Sequence, residues 1–250
     1  MGNIPIGLQL YSIRADTATD PAGSLASVAA MGYDGVEFAG FFDWSAPDLR
    51  RALDDLRLKA CGAHIGIQTL LPDVFEVSVE FHRVIGNQFL IVPGLPAEYT
   101  GSVANYHKTA DLFNDLAAKL EPHGMYLGYH CHAGDFQPVD GEIPWEILAD
   151  NTTERVVLQM DTGNCLAGGG DPVAYLGKYP GRARTVHLKA DFAHQENALL
   201  GEDQTDYPAI FAVCEKTAGA EWYIVEQEAY PVPPLESVKI CLDNLRKMGL

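Results

Sequence analysis

Five side chains that can bind a metal ion or transfer a proton each follow a short apolar run in the second half of the chain. They are His130, His132, Asp161, His187 and Glu226. The runs before them are rich in β-branched and aromatic residues, which is typical of buried strands. Imidazole and carboxylate groups that recur at strand ends are poor core material, and their chemistry is that of a metal site or an acid–base site.

His130 and His132 stand two residues apart at the end of the strand predicted over residues 127–130. Because side chains alternate along a strand, both imidazoles share one face and Cys131 takes the other. Either histidine could bind the metal. We favour His130 as the ligand and His132 as a substrate contact.

Two imidazoles and two carboxylates suit one divalent ion such as Mn²⁺, Zn²⁺, Co²⁺ or Fe²⁺. Mg²⁺ fits less well, because it prefers oxygen ligands. The expected ligands are His130, Asp161, His187 and Glu226. Each alone could be an ordinary hydrogen-bonded polar residue, but their recurrence at the ends of four consecutive strands favours the metal.

Strands that alternate with helices along the whole chain must position these residues. The predicted strand ends are Gln9, Glu37, His64, Pro93, His130, Asp161, His187 and Glu226. They recur roughly every 30 residues, as in an eightfold barrel of typical length. We therefore predict an α/β fold, a (β/α)8 TIM barrel formed as one domain by residues 1–250. A doubly wound open sheet is less favoured, because no G-x-G-x-x-G turn follows the first strand.

Helix boundaries support this alternation. Asp20 and Gly32 are suited to begin and end one helix, and Ser45 to begin the next. The clearest helix spans Val103–Leu120, with apolar residues on one face. We also expect the first strand over residues 6–11 and a helix over residues 207–216.

Other polar and aromatic residues near strand ends are candidates for the same site, because barrel active sites lie at the carboxyl ends of the strands. Lys189 could neutralise a developing alkoxide or enolate, or could be a surface lysine. The candidates for substrate binding are Gln9, Glu37, Trp44, His64 and His132. Gln9, Glu37 and His64 could equally be structural, and Trp44 could pack within its own loop.

The composition excludes several partners. The formal net charge of −17 disfavours nucleic acids and anionic membrane surfaces. No apolar run is long enough to span a bilayer, and the first residues lack the regions of a signal peptide. Five widely spaced cysteines, with no C-x-x-C, suggest reduced thiols in the cytoplasm. The sequence is also compatible with a homo-oligomer.

Six motifs, in order along the chain, resemble the sugar phosphate isomerase/epimerase family of xylose isomerase-like TIM barrels. They are LQLYSIR (8–14), GYDGVEFAG (32–40), GYHCH (128–132), DTGN (161–164), VHLK (186–189) and WYIVEQ (222–227). The resemblance implies a divalent metal held by Glu, Asp, His and Glu from strands five to eight. Asp161, His187 and Glu226 match the last three positions, and His130 replaces the first glutamate.

The replacement bears on the chemistry, because the two glutamates of the better-known epimerases also form the acid–base pair. Glu226 would be the base here, and His130 or His132 would supply the other proton-transfer group. The resemblance thus implies a metal-dependent isomerase or epimerase in carbohydrate metabolism, acting on a small sugar or keto-sugar through an enediolate. An unphosphorylated substrate is expected, because the chain is acidic and no cluster of arginine and lysine stands at the late strand ends apart from Lys189. Alternatives are a metal-dependent lyase, dehydratase or hydrolase on the same barrel, or a non-catalytic sugar-binding protein. A multi-metal nuclease is disfavoured by the negative net charge. It is also disfavoured by Asn164, which stands where an additional histidine after Asp161 would be expected.

Overall fold

Eight parallel strands form a closed barrel in sequence order, in a computed structural model that describes residues 4–250. The strands are β1 (Ile6–Gln9), β2 (Gly35–Phe38), β3 (Lys59–His64), β4 (Phe89–Val92), β5 (Tyr126–His130), β6 (Val157–Asp161), β7 (Thr185–Leu188) and β8 (Trp222–Val225). β1 pairs with both β2 and β8, and this pairing closes the ring. The predicted (β/α)8 barrel is confirmed.

Helices surround the barrel and bury their apolar faces against it. They are α1 (Arg14–Thr19), α2 (Pro21–Met31), α3 (Ala46–Leu56), α4 (Phe75–Ile85), α5 (Val103–Leu120), α6 (Pro144–Asn151), α7 (Thr162–Ala167), α8 (Pro172–Lys178), α9 (Tyr207–Val213) and α10 (Pro234–Lys247). Short 3-10 turns lie at Leu10–Ile13, Ile67–Leu70, Ala97–Tyr99, Glu121–His123 and Ala133–Phe136. One large core joins the strands to the helices, so the carboxyl ends of the strands stand on a packed interior.

The helix ends have the predicted caps. Asp20 accepts a hydrogen bond from the Gly23 amide at the start of α2, and Gly32 ends that helix with a φ of 96°. Ser45 caps α3 in the same way. Asparagine apart, side chains rarely adopt such a positive φ, so glycine suits the end of α2.

Two predicted elements differ in the structure. β1 stops at Gln9 because its side chain accepts a hydrogen bond from the Tyr11 amide at 3.0 Å, which turns the chain into a 3-10 helix. The helix predicted over residues 207–216 is α-helical only to Val213, and one π-helical turn, Cys214–Ala218, completes it.

All five cysteines are buried and free. Among the described residues, no helix combines the length and apolar character that a membrane span requires.

Candidate metal centre

Four potential ligands converge at the carboxyl end of the barrel. His130 and Asp161 end β5 and β6, His187 lies in β7, and Glu226 directly follows β8. One ligand atom from each lies within 4.8 Å of all the others, and all four residues are buried. The structure thus brings His130, and not His132, into the group expected to hold a metal.

Asp161 provides a test of whether a cation fits this group. Its Oδ1 accepts the Asn164 amide at 2.7 Å at the start of α7, whereas its Oδ2 is buried without a hydrogen-bond partner. Burial raises the pKa of Asp161 to about 6, although the positive charge of Lys189 opposes the shift. Burying an unpaired carboxylate oxygen is costly, and a metal ion among these nitrogen and oxygen donors would remove that cost.

His187 lies between two carboxylates. Its Nδ1 is 2.5 Å from Glu226 Oε2, and its Nε2 is 2.6 Å from Glu37 Oε2. Burial alone would lower the pKa of His187, but Glu37 and Glu226 raise it to about 10. A metal would therefore replace a proton at Nδ1, while Nε2 continues to donate to Glu37, as an outer carboxylate orients a ligating histidine.

Glu37 is completely buried beneath the four ligands. Its Oε2 accepts from Gln9 Nε2 at 2.7 Å and lies 3.1 Å from His64 Nε2. Burial would raise the pKa of Glu37, but His64 and His187 hold it well below its ordinary value. Gly62 lies against this carboxylate, where a Cβ would collide with it.

This burial changes how Gln9 and Glu37 can act on the site. Both were expected to contact substrate, but neither has exposed surface, and their polar atoms are engaged by protein groups. Glu37 instead accepts a hydrogen bond from His187, and Gln9 donates a hydrogen bond to Glu37.

Gln159 is a component of the site that the sequence analysis missed. Its Nε2 donates to Glu37 Oε1 at 2.9 Å and to Thr185 Oγ1 at 2.8 Å. Its Oε1 lies 2.9 Å from both His130 Nδ1 and His64 Nε2. Gln159 stands two residues before Asp161 on the same face of β6, and a polar residue within an otherwise apolar strand was the available signal.

A cavity of about 400 Å³ opens above the ligands. Its lining residues are Tyr11, Ala39, His64, Pro93, His130, His132, Glu226 and Glu228. Two of the expected substrate contacts, His64 and His132, thus face this space. Trp44 does not line it and instead borders a separate hollow beside α3, together with Asp48 and Arg51.

Lys189 is buried at the edge of the same site and is not a surface lysine. Its ammonium group pairs with Glu228 and lies 3.8 Å from Glu226 Oε1. Burial would lower the pKa of Lys189, but Asp161, Glu226 and Glu228 raise it well above its ordinary value. The site therefore contains a permanent positive charge next to the candidate base.

His130 and His132 differ in environment although both are near the cavity. Burial, followed by the neighbouring His187 and His64, holds the pKa of His130 well below its usual range. His132 is more exposed, and its ring centre is 5.0 Å from that of His130. Burial also lowers the pKa of His132.

Curated relatives cover most of the chain. A rhizopine catabolism protein, MocC, of Rhizobium meliloti is 25% identical over 269 residues, which cover 90% of this chain and 80% of that protein. An inosose dehydratase of Geobacillus kaustophilus is 27% identical over 212 residues, covering 73% of this chain and 66% of the enzyme.

Solved structures share the fold. A sugar phosphate isomerase/epimerase from Parabacteroides distasonis superposes with a TM-score of 0.86 at 21% identity, covering 100% of this chain and 96% of the other. The IolI protein with a bound zinc atom superposes with a TM-score of 0.75 at 15% identity, over 97% of each chain. The family model described as a xylose isomerase-like TIM barrel matches residues 25–248, so this chain belongs to that family.

Proposed function

We propose that this chain is a divalent-metal-dependent isomerase or epimerase of a small sugar or keto-sugar. The observation that carries the proposal is the cluster of His130, Asp161, His187 and Glu226 at the floor of the cavity, with Asp161 Oδ2 buried and without a hydrogen-bond partner. The zinc atom in IolI and the name of another structural neighbour, a sugar phosphate isomerase/epimerase, support the same class of chemistry.

The metal would be held by the two imidazoles and two carboxylates of this cluster. Zn²⁺, Mn²⁺, Co²⁺ and Fe²⁺ suit such a mixed donor set better than Mg²⁺ does. When bound, such an ion supplies Lewis-acid polarisation of a carbonyl oxygen.

Glu226 is the proposed base, because its carboxylate lines the cavity and is ionised. Burial would raise the pKa of Glu226, but the hydrogen bond with His187 and the charge of Lys189 hold it well below its usual value. Glu226 takes the proton from the carbon next to the carbonyl, and Lys189 offsets the negative charge that develops nearby.

A histidine completes the reaction by delivering a proton to the product carbon. His132 is the better placed of the two candidates, because it faces the cavity and lies outside the ligand cluster. His64 lines the same space and binds substrate hydroxyls. The cavity lining contains no arginine or lysine among the described residues, which favours an unphosphorylated substrate.

A dehydratase is the second candidate, favoured by the inosose dehydratases among the curated relatives. It shares the first step, removal of a proton next to a carbonyl by Glu226. The two reactions then diverge, because a dehydratase expels the neighbouring hydroxyl with a proton and releases water. His132, which lines the cavity outside the ligand cluster, would act as the acid for that departure.

Chelator-treated protein assayed against keto-sugars, aldo-sugars and inososes tests the proposal. We expect turnover only after Mn²⁺, Zn²⁺, Co²⁺ or Fe²⁺ is added back, with a product of the same mass as the substrate. A product lighter by one water would identify the dehydratase. Undiminished turnover after complete metal removal would contradict metal dependence, and sugar binding without turnover under any metal would indicate a binding protein.

A further inference from the structure

Gln159 occupies the centre of the polar network beneath the cavity. It is completely buried, and its carboxamide contacts His64, His130, Glu37 and Thr185 at once. A buried glutamine with all of these contacts has one orientation that satisfies them, and that orientation determines where the protons of its neighbours lie.

The amide nitrogen must face Glu37. Glu37 Oε2 accepts a hydrogen bond from Gln9 Nε2, and Glu37 Oε1 accepts one from the NH2 group of Gln159 at 2.9 Å. The reversed amide would place two oxygens against each other in a buried site. The carbonyl oxygen of Gln159 therefore faces the two histidines.

The carbonyl oxygen in turn defines the protons of both rings. It can only accept, so His130 Nδ1 and His64 Nε2 each carry a hydrogen in order to make their 2.9 Å contacts. When these rings are neutral, the lone pairs lie on His130 Nε2 and His64 Nδ1. The Nδ1–H form is the less favoured tautomer of histidine in water, so the protein must impose it on His130.

We propose that Gln159 is a positioning residue that holds His130 in the Nδ1–H tautomer and so presents Nε2 as a ligand. The inference rests on the proposed metal site only for the role of Nε2, since the tautomer itself follows from the hydrogen bonds. The family that this chain resembles has a glutamate at the position of His130, and a carboxylate has no tautomer to be fixed. The histidine of this chain does need a partner that fixes its tautomer.

The same network reaches the second imidazole ligand. Gln159 donates to Glu37 Oε1, and Glu37 Oε2 accepts from His187 Nε2 at 2.6 Å. One amide and one carboxylate thus fix the ring orientation of both histidine ligands before a metal arrives, and Nε2 of His130 and Nδ1 of His187 are not used in these two contacts.

Imidazole ¹⁵N–¹H correlation spectra of the metal-free protein test the tautomer directly. The signals are assigned with His130→Gln and His64→Gln. We expect the wild-type His130 to be protonated at Nδ1, and Gln159→Leu to shift it towards Nε2–H. A wild-type His130 protonated at Nε2, or an unchanged tautomer in Gln159→Leu, would overturn the inference.

Two further variants keep the test decisive if Gln159→Leu does not fold. Gln159→Met keeps the length of the side chain but has no carbonyl oxygen, so the Nδ1–H tautomer should be lost as in Gln159→Leu. Thr185→Val removes only a partner of the amide nitrogen, and it should leave the His130 tautomer unchanged. An Nδ1–H form that persists in Gln159→Met, or that is lost in Thr185→Val, would count against control by the carbonyl oxygen.

Zinc affinity, measured by competition with a chromophoric chelator, tests the role of Nε2. Gln159→Leu should weaken Zn²⁺ binding by roughly 10–100-fold, as expected for loss of an outer-shell partner. Equal Zn²⁺ affinity in the two proteins would overturn the ligand role. If the wild type shows the expected tautomer but binds no metal, the proposed function fails while the assignment of the tautomer to Gln159 stands.

Discussion

Replacing Glu226 with glutamine should reduce turnover by roughly 10²–10⁴-fold, the usual contribution of a general base. The amide cannot take a proton from carbon, yet it keeps nearly the shape of the carboxylate and one oxygen that can face the cluster. Steady-state kinetics on the sugar identified in the substrate panel would measure the loss. The fold should be retained, and metal content should be determined on the same sample so that lost chemistry is separated from a lost ligand.

Glu221→Gln is the matched control for this variant. Glu221 immediately precedes β8, at the opposite end of the strand from Glu226, and forms a surface ion pair with Arg184. Such exposed pairs contribute at most about 1 kcal/mol, so this variant should keep its activity and its metal. Full activity in Glu226→Gln would show that the base is assigned to the wrong residue.

Glu37→Gln should lower the free energy of unfolding by about 3–5 kcal/mol, the cost of removing one partner from a buried charged network. Glu37 accepts hydrogen bonds from Gln9, His187 and Gln159, and its Oε2 lies 3.1 Å from His64 Nε2. A glutamine would turn one accepting oxygen into a donor that faces other donors. His187 would also lose the carboxylate that orients its Nε2.

Urea denaturation of the metal-free protein would measure this loss without any contribution from bound metal. Glu221→Gln again provides the comparison, and its stability should remain within about 1 kcal/mol of the wild type. If Glu37→Gln is destabilised no more than that control, the buried carboxylate does not hold the network together.

The barrel and its ligand cluster were predictable because both depend on local patterns. Apolar strand segments define the eight strands, and parallel strands must end at the same face of the barrel. The side chains at the ends of β5 to β8 therefore meet whatever the details of packing. The bounds of α5 agree with the helix predicted over Val103–Leu120 for the same reason.

The roles of Gln9, Glu37 and Gln159 depend on how deep each side chain lies within the barrel. A local sequence pattern does not give that depth. Gln159 is one strand repeat below Asp161, and its four partners come from four different strands. Gln9 and Glu37 stand at strand ends, as His130 does, but they lie below the cavity. Trp44 lines a hollow beside α3 and does not line the cavity.

Metal analysis of the purified protein by mass spectrometry, for wild type and Asp161→Ala, tests the central claim most directly. Asp161 supplies the buried Oδ2 that lacks a hydrogen-bond partner. We expect about one Mn, Zn, Co or Fe ion per wild-type chain, as in a single-metal site, and its loss in Asp161→Ala. No metal in either protein after incubation with Mn²⁺ and Zn²⁺, or equal metal in both, would contradict the proposed centre.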